Sequence, residues 1–377
     1  MLIQRDIKQD ILTKLRTSSK AVILYGARQI GKTTLCQDVI AEMKLKTLSI
    51  NADELRYIDV LSSRDSRKLG DLVEGYDLLF IDEAQRVPNI GINLKILIDQ
   101  FPRLHILVTG SSSFELANSV SEPLTGRKWV YQLYPIAQRE LAKHYNRFEL
   151  ESQKEDRLIW GAYPEIFHIR GQQEKTEYLR TLASDYLYKD ILALYDVRHA
   201  DKIRNILRLL AFQIGQEVSL NELARQLEMS KETVARYIDL LEKTFVIYRV
   251  GGFSRNLRKE VSKLHKYYFY DLGVRNALID NFKPLAERND QGALWENFLI
   301  MERMKRNNYM KRNVTPYFWR TYGGSEVDYV EETGEGLWAF ELKWNKRKAP
   351  VSKTWIKEYP DSIYEVIHEE NWLDFVL

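Results

Sequence analysis

The chain has 377 residues, of which 45% are hydrophobic and 29% charged, and its formal net charge is only +3. Two or three domains are expected at this length, and the balance of charge excludes the global field that marks general nucleic-acid or membrane binders. The single cysteine, Cys36, excludes an internal disulfide, and no apolar stretch approaches the ~20 residues of a membrane span, so we expect a soluble, cytoplasmic protein without a membrane partner.

Residues 1–145, the first predicted domain, alternate short apolar runs with segments of helical length. Four runs are predicted as buried strands because they are short, apolar and followed by turn residues. They are AVILYG (21–26), KTLSIN (46–51), DLLFIDEA (77–84) and LHILVTGSS (104–112). This alternation favours a parallel sheet covered by helices on both faces.

The segment GARQIGKTT follows the first predicted strand and opens a predicted helix, and it matches the pattern GxxxxGK[ST]. Glycines let backbone amides face phosphate oxygens, the lysine reaches the terminal phosphates, and the threonine hydroxyl binds Mg²⁺. The segment is therefore predicted to bind the phosphates of a nucleotide. Its members are Gly26, Ala27, Arg28, Gln29, Ile30, Gly31, Lys32, Thr33 and Thr34.

The run LLFIDEAQ places two carboxylates at the end of a buried strand. Asp82 is predicted to hold the magnesium and Glu83 to activate the attacking water. An acidic pair is also common in a solvated turn, but its position after the phosphate loop favours catalysis. The next strand ends in TGSSS, where Ser111 or Ser112 would contact the γ-phosphate or the water, or would cap the following helix FELANSV.

Residues 146–205 are rich in helical patterns and are predicted to form a helical extension. Residues 206–265 then predict a winged helix, with a capping box of Ser219 and Glu222, a second helix opened by Ser230, and a strand with a hairpin. A set of polar residues on the second helix would face a DNA groove: Lys231, Thr233 and Arg236. The alternative is a structural spacer or a protein-docking surface, because acidic residues dilute the charge of this helix.

Residues 266–377 are predicted to form a last, mixed α/β domain with a sparse set of charged residues. Asp328 lies in SEVDYVE, and Glu341 and Lys343 share one face of WAFELKW. A turn at ETGEG would bring the two segments together, so that the carboxylates chelate Mg²⁺ and the lysine positions water at a phosphodiester. The alternative is a half-buried sheet with solvated charges. The six histidines lack ligand spacing, so no zinc site is expected.

The motifs GARQIGKTT, LLFIDEAQ, TGSSS, LTGR, YPIAQREL, GAYPEI and YLYKDIL together resemble the prokaryotic AAA-type P-loop ATPases that carry a conserved carboxyl-terminal domain of unknown function. The resemblance covers essentially the whole chain. It implies an ATPase core of the additional-strand, catalytic-glutamate type, commonly oligomeric, that uses ATP with Mg²⁺. It also favours Arg127 of LTGR as an arginine that neutralises charge on a neighbouring subunit's nucleotide. The alternative for Arg127 is a surface arginine in a turn.

The carboxyl-terminal residues resemble the active site of the PD-(D/E)xK nuclease superfamily, to which the terminal domain of the resembling family is related. The resemblance implies that Glu296, on the helix ALWENFLIMERMK, joins Asp328 and Glu341 as a metal ligand. The expected fold class is α/β. It combines a P-loop NTPase parallel sheet and helical extension with a winged helix-turn-helix and a PD-(D/E)xK nuclease-like α/β domain.

These features predict an ATP-binding and ATP-hydrolysing AAA-type ATPase that acts on or with DNA through the winged helix and the nuclease-like domain. DNA cleavage is left open, since such folds also serve as binding scaffolds. The alternative is a nucleotide-gated regulatory or protein-binding switch with an inactive nuclease-like domain. The expected partners are ATP, DNA, and further copies of the chain or another protein.

Overall fold

The computed structural model describes residues 3–111, 124–186, 200–255, 265–345 and 351–377. The chain divides into two compact units. The first unit runs to Tyr134 and includes Lys243–Phe245, and the second comprises Pro135–Glu242 and Val246–Leu377. The finer division into four domains stays a prediction.

The first unit alternates strands with helices. Its described helices are α1 (Lys8–Thr17), α2 (Lys32–Met43), α3 (Leu55–Leu61), α4 (Ser66–Val73) and α5 (Ile90–Gln100). Its described strands are β1 (Ala21–Tyr25), β2 (Thr47–Asn51), β3 (Leu78–Asp82), β4 (His105–Gly110) and β5 (Lys128–Gln132). The four predicted strands are confirmed as β1 to β4. The strand β5 was not predicted, because its sequence KWVYQ mixes charged and aromatic residues and its burial is mostly partial.

The strands of the first unit form one parallel sheet in the order β2-β3-β4-β1-β5. All five residues of β1 are apolar or aromatic and buried, as is typical of a parallel strand covered on both faces. The hydrophobic core of the first unit includes Ile23, Leu79, Leu94 and Val108. Because β4 lies between β1 and β3, the carboxyl ends of these three strands meet at one edge, where ligands bind in open parallel sheets.

The second unit contains the remaining described elements. Its helices are α6 (Gln138–Leu141), α7 (Arg147–Ser152), α8 (Lys154–Trp160), α9 (Gln172–Thr181), α10 (Ala200–Phe212), α11 (Leu220–Leu227), α12 (Lys231–Lys243), α13 (Leu272–Leu278), α14 (Gln291–Tyr309), α15 (Lys353–Glu358) and α16 (Trp372–Val376). Its strands are β6 (Glu217–Val218), β7 (Ile247–Gly252), β8 (His265–Phe269), β9 (Thr315–Arg320), β10 (Glu326–Thr333), β11 (Gly336–Leu342) and β12 (Ile363–Ile367).

One seven-stranded sheet runs through the second unit in the order β12-β11-β10-β9-β7-β8-β6. The strands β10 and β11 pair antiparallel as neighbours in sequence, which confirms the hairpin predicted at ETGEG. The strand β7 pairs antiparallel with β8 and parallel with β9. Strands from the predicted winged helix and from the predicted nuclease-like domain therefore belong to a single sheet.

The predicted helix-turn-helix elements are present in α11 and α12. The Ser219 hydroxyl accepts a hydrogen bond from the Glu222 backbone N–H at 3.4 Å, and the Ser230 hydroxyl accepts one from the Thr233 N–H at 3.1 Å. Both serines thus cap helices as the sequence indicates. The predicted strand FVIYRV is present as β7, which pairs antiparallel with β8. The hairpin predicted at GGFSRN (251–256) extends beyond the described residues and stays a prediction. The identification of the whole element as a winged helix stays a prediction.

Asp271, at the amino end of α13, contacts the GAYPEI motif. Its carboxylate accepts the Val274 N–H at 3.1 Å, which caps α13, and the Ala162 N–H at 2.7 Å. Gly161 has φ +72°, and a Cβ added there would collide with the Asp271 carboxylate. Burial raises the pKa of Asp271 even though these N–H groups oppose the shift. Asp271 therefore caps α13 and also binds the backbone of the GAYPEI segment.

Candidate functional site

The connection between β1 and α2 depends on two glycines. Gly26 has φ +151°, and a Cβ added there would collide with the carbonyl oxygen of Leu133 and the side chain of Ile30. Gly31 has φ +91° in the left-handed region and precedes the first residue of α2. Residues with side chains are strained in both places, so the motif glycines are needed for the backbone path itself.

Lys32 begins α2 and lies over the loop that precedes it. Its ammonium group donates hydrogen bonds to the carbonyl oxygens of Gly26 and Ala27, each at 2.9 Å, and the residue is only 5% exposed. The amino terminus of a 12-residue helix adds unpaired N–H groups and a favourable dipole at the same place. Positive potential therefore converges on this loop, as phosphate binding requires.

The rest of the loop is positioned by a residue that the sequence did not indicate. Arg5 is buried and donates hydrogen bonds to the carbonyl oxygen of Ile30 at 2.9 Å and to that of Tyr134 at 2.5 Å. Ala27 and Ile30 are buried, Arg28 is partly exposed, and Gln29 and Thr34 are exposed. Arg5 thus fixes the phosphate loop to the chain segment that follows β5.

Asp82 lies at the end of β3 between hydroxyls from two other elements. The Thr33 hydroxyl of α2 donates a hydrogen bond to Oδ2 at 2.8 Å, and the Thr109 hydroxyl of β4 donates one to Oδ1. The structure therefore brings the predicted magnesium residues Thr33 and Asp82 together. Hydroxyl and carboxylate oxygens are ligands that Mg²⁺ prefers, and this ion commonly takes few ligands from the protein, so the residues fit the ion.

Glu83 follows in a left-handed backbone conformation, with φ +55°. Its backbone N–H donates to the Thr109 hydroxyl at 3.2 Å, and its carboxylate accepts a hydrogen bond from the Gln85 side chain. The side-chain amide oxygen of Gln85, Oε1, accepts a hydrogen bond from the backbone N–H of Ser111 at 3.3 Å. Gln85 therefore connects the predicted catalytic carboxylate to the end of β4, where Ser111 is buried. Ser112 and the segment FELANSV lie outside the described residues.

Arg127 lies in the turn before β5, and its guanidinium is 2.7 Å from the carboxylate of Asp99. This partner raises the pKa of Arg127 through a hydrogen bond and through its charge. The parallel pairing sets Ala21 opposite Lys128, so Arg127 lies at the amino end of β1. The phosphate loop follows the carboxyl end of β1, and the length of the strand between them is about 15 Å. Arg127 is therefore not brought to the phosphate loop of its own chain. A role at a neighbouring subunit stays a prediction.

A second group of predicted residues meets in the second unit. The ammonium of Lys343 is 2.6 Å from the Glu341 carboxylate and 3.1 Å from that of Asp328. The Asp328 carboxylate also accepts the backbone N–H of Leu342 at 2.8 Å, and the Tyr364 hydroxyl donates to Glu341 at 3.3 Å. The β10–β11 hairpin therefore brings both carboxylates to one lysine, as the sequence predicts. We call Asp328, Glu341 and Lys343 together the Lys343 cluster.

Glu296 of α14 has different partners from those predicted. Its carboxylate accepts a hydrogen bond from the Tyr268 hydroxyl at 2.7 Å and is 3.2 Å from the Lys266 ammonium. The Lys266 ammonium is also 2.7 Å from the Glu326 carboxylate, and its side chain is only 3% exposed. Lys266 and Tyr268, neither of which was predicted, thus hold Glu296 beside the Lys343 cluster.

Buried charge shifts the pKa values of this region. Burial raises the pKa of Glu296 to about 7, with Lys266 opposing the shift and the nearby Asp328 adding to it. Burial also raises the pKa of Glu341, as does the charge of Asp328. The pKa of Lys343 rises because its two carboxylate partners outweigh its burial, which alone would lower the pKa. Glu296 and Glu341 therefore accept protons more readily than ordinary carboxyls, while Lys343 stays charged.

The metal site predicted for Glu296, Asp328 and Glu341 is only partly assembled. Within the described ranges, no three or more histidine, cysteine, aspartate or glutamate side chains are grouped so that they hold a metal ion. Asp328 and Glu341 share one cation, the Lys343 ammonium, and their oxygens suit Mg²⁺. Two of the three predicted ligands thus fit a magnesium ion, whereas Glu296 is engaged by Lys266 and Tyr268.

The residues predicted to face DNA lie on the outer side of α12. Lys231 and Arg236 are exposed and Thr233 is partly exposed, whereas Val234 and Ile238 are buried beneath them. This placement leaves the predicted residues accessible, but their role stays a prediction. In the part of the chain that the structure describes, no helix has both the length and the apolar character that a membrane crossing requires.

The chain matches three family models. Residues 18–142 match an AAA domain, residues 151–285 match the domain of unknown function DUF8612, and residues 291–369 match the domain of unknown function DUF4143. The AAA domain contains the phosphate loop, Asp82, Glu83 and Thr109. The DUF4143 domain contains Glu296 and the Lys343 cluster.

Similar proteins come from bacteria and archaea. A Mycobacterium tuberculosis protein described as uncharacterized is 30% identical over 358 residues, which cover 91% of this chain and 74% of that protein. An uncharacterized Methanocaldococcus jannaschii protein is 24% identical over 343 residues, covering 86% of this chain and 74% of that one. Thermotoga maritima RuvB is a solved structure with 17% identity and a TM-score of 0.35, covering 66% of this chain and 90% of its own, and a score this low supports no further statement. The chain belongs to the family of the Mycobacterium tuberculosis protein, and it is an AAA-domain P-loop protein with a carboxyl-terminal DUF4143 domain.

Proposed function

We propose that the first unit binds ATP with Mg²⁺ and hydrolyses it. The observation that carries this proposal is the arrangement around Asp82, whose carboxylate bonds both the Thr33 and the Thr109 hydroxyls at the edge of the sheet where the phosphate loop begins α2. Phosphoryl transfer needs mainly positioning and stabilisation of charge, and this edge supplies a lysine, a helix amino terminus and two carboxylates.

Each residue has a defined task in this proposal. Lys32 exchanges its two carbonyl partners for oxygens of the terminal phosphates, and the amino terminus of α2 binds the phosphates through N–H groups. Thr33 and Asp82 would hold Mg²⁺, which neutralises charge on the phosphates when bound. Glu83 orients the attacking water and takes its proton, while Gln85 fixes the carboxylate of Glu83.

Two substitutions test the proposal. Lys32→Ala should abolish detectable ATP binding in calorimetry, because it removes the ammonium that lies against the loop carbonyls of Gly26 and Ala27. Glu83→Gln should retain ATP binding but lose hydrolysis by at least a hundredfold, as expected for loss of a general base. Unchanged phosphate release by Glu83→Gln would refute the task given to Glu83, and unchanged ATP binding by Lys32→Ala would refute the site.

We further propose that the second unit acts on DNA, and the Lys343 cluster is the observation that favours this. Two carboxylates and a lysine at one point of a sheet suit a magnesium-dependent reaction at a phosphodiester: Asp328 and Glu341 would hold the ion, and Lys343 would face the phosphate or the water. The exposed polar residues of α12 offer a surface for duplex DNA. Hydrolysis of ATP would then drive changes in how DNA is bound.

Magnesium-dependent cutting of single-stranded, duplex and branched DNA tests the second proposal. Asp328→Asn should abolish cutting and leave ATP hydrolysis unchanged, and Glu335→Gln, an exposed change in the turn of the same hairpin, should cut like the wild type. If the wild type cuts no DNA and its ATPase rate does not respond to DNA, the cluster is not a nuclease site. That result would favour the alternative function, a nucleotide-gated switch that binds a protein.

A further inference from the structure

A cleft of about 880 Å³ opens in the second unit, at the end of α14 opposite to Glu296. It is lined by α14, the β10–β11 hairpin and α16, with Arg303, Arg306, Arg312, Trp338 and Phe375 among its residues. Arg306 follows Glu296 by ten positions in α14, which corresponds to about 15 Å along the helix axis. The volume lies in the range of small-molecule sites, and the cleft is not part of the Lys343 cluster.

Each nitrogen of the Arg303 guanidinium donates a hydrogen bond within the protein. It makes a two-pronged ion pair with Glu331, at 2.8 and 2.9 Å, and donates a further hydrogen bond to the carbonyl oxygen of Phe375 at 2.9 Å. Its guanidinium also lies over the rings of Phe340 and Phe375. Arg303 is therefore held in place as part of the cleft wall.

Arg306 lies one turn later on α14 and, unlike Arg303, has buried donors without hydrogen-bond partners among the described residues. The donors are its Nε and Nη1 atoms, which are shielded from solvent. Burial lowers its pKa to about 10, with the charges of Arg303 and Arg312 adding to this shift and the charge of Glu331 opposing it. A guanidinium in this position costs stability, since its donors are unsatisfied and its nearest charged neighbours include two cations. Such a group is typical of a site that an anion completes.

The carboxylates that line the cleft do not satisfy Arg306. Glu331 is bonded to Arg303 and to the Asn307 amide. Asp374 pairs with Arg147 at 2.8 Å. Glu335 and Glu365 are exposed to solvent at the rim, where their charges are screened. The inner part of the cleft therefore keeps a positive charge at Arg306, with the exposed Arg312 beside it.

Trp338 adds an aromatic surface to the same cleft. It is half-buried on β11 and makes no ring contact with another described residue. In contrast, Trp295, Trp319, Trp355 and Trp372 are fully buried in aromatic clusters. An indole face that is not stacked within the protein suits a planar base, because stacking on an aromatic side chain favours every base.

We propose that this cleft binds a nucleoside phosphate, either a free nucleotide or the phosphorylated end of a single strand, with the phosphate on Arg306 and the base on Trp338. A guanidinium carries several N–H donors in fixed directions, so it matches phosphate oxygens better than a point charge does. The site is separate from the ATP site proposed above. Its ligand is recognised by one phosphate and one base, without a P-loop.

Calorimetry on the full chain tests this site with thymidine 5′-monophosphate and with thymidine. The wild type should bind the monophosphate at least tenfold more tightly than thymidine, and Arg306→Gln should abolish this difference. The matched control is Lys357→Gln, an exposed loss of the same charge on α15, which should behave as the wild type. Lys32→Ala is titrated in parallel, so that any binding at the phosphate loop is recognised as the part that it loses.

A 5′-phosphorylated tetrathymidylate distinguishes the two sources of the ligand. If it binds at least tenfold more tightly than the monophosphate, and this gain is lost in Arg306→Gln, the strand end is the ligand. Equal affinities identify the free nucleotide. A wild type that does not distinguish the monophosphate from thymidine, or an Arg306→Gln chain that still does, overturns the proposal.

Thermal unfolding separates a binding role of Arg306 from a structural one. Arg306→Gln should raise the melting temperature by a few degrees, because it removes a cation with unsatisfied donors, whereas loss of a structural arginine would lower it. Trp338→Ala provides a second variant. It should weaken binding of the monophosphate about tenfold while leaving binding of inorganic phosphate unchanged. An unchanged monophosphate affinity in Trp338→Ala would contradict the stacking role.

Discussion

Thr109 provides a sharp test of the proposed ATPase site, because its hydroxyl contacts both Asp82 and Glu83, the residues proposed to hold Mg²⁺ and to activate water. It donates a hydrogen bond to the Asp82 carboxylate and accepts one from the Glu83 backbone N–H at 3.2 Å. The residue is fully buried in β4. Thr109→Val keeps the shape of the side chain but removes both hydrogen bonds, so Asp82 loses one of its two hydroxyl partners and the backbone of Glu83 loses its anchor.

The expected size of the effect follows from the chemistry of these bonds. A hydrogen bond to a charged group contributes about 1.5–3 kcal/mol. If that energy holds Asp82 and Glu83 in the geometry of the transition state, its loss lowers kcat/KM by about 10- to 150-fold. The Glu83 backbone is left-handed, with φ +55°, and therefore depends on its surroundings to keep this conformation. We expect most of the loss in kcat, because the water-activating carboxylate is displaced.

Phosphate release measured over a range of ATP and Mg²⁺ concentrations tests this prediction. Thr109→Ser is the matched control, since it keeps the hydroxyl and loses only a methyl group. It should retain kcat/KM within about threefold of the wild type, a difference of less than 1 kcal/mol. The reasoning is wrong if Thr109→Val hydrolyses ATP like the wild type, or if Thr109→Ser loses as much activity as Thr109→Val.

Three further changes have outcomes that follow from the contacts. Gln85→Leu frees the Glu83 carboxylate and should lower kcat about tenfold with ATP affinity retained, as measured by phosphate release and calorimetry. Asp271→Ala removes a helix cap and leaves the Ala162 N–H unsatisfied, so urea unfolding should show a loss of about 2–5 kcal/mol. The pKa of Glu296, raised from 4.5 to about 7 by burial and by Asp328, means that the folded chain holds this proton more tightly than the unfolded chain does. Glu296 alone should therefore lower wild-type stability by up to about 3 kcal/mol as pH rises from 4.5 to above 7. In metal-free buffer Glu296→Gln should show a smaller decline, because the raised pKa of Glu341 still contributes in the same direction.

The sequence predicted the first unit well because its signals are local. A buried parallel strand is a short apolar run, and the phosphate loop is a fixed spacing of glycine, lysine and threonine, so β1 to β4 and the loop were identified from neighbouring residues. Sheet order is not local. That β4 lies between β1 and β3 depends on pairing between distant segments, and this pairing brings Thr109 to Asp82. Thr109 lay within a strand that the sequence predicted, but only the order of the sheet shows its partners.

The second unit was harder to predict for the same reason. The β10–β11 hairpin was predicted because its two strands are adjacent in sequence, and its turn therefore determined that Asp328 meets Lys343. The partners of Glu296 come from β8, about 30 residues away, where Lys266 and Tyr268 read as ordinary strand residues. Arg5 lies 25 residues before its partner Ile30 and carries no motif. Contacts between distant segments have no sequence signal in a single chain.

The two lysines at the proposed sites, Lys32 and Lys343, differ in the partners that they must leave when they bind a ligand. Lys32 is bonded to two neutral carbonyl oxygens, so turning to a phosphate exchanges weak partners for charged ones and gains energy. Lys343 is bonded to two carboxylates, and a divalent ion that takes these carboxylates must displace it. Displacement leaves the Lys343 ammonium without a counter-charge, and this cost is offset only if the ammonium binds a phosphodiester or another anion. We therefore expect ATP to bind the first unit without DNA, whereas Mg²⁺ should bind the Lys343 cluster appreciably only when a phosphodiester is bound with it.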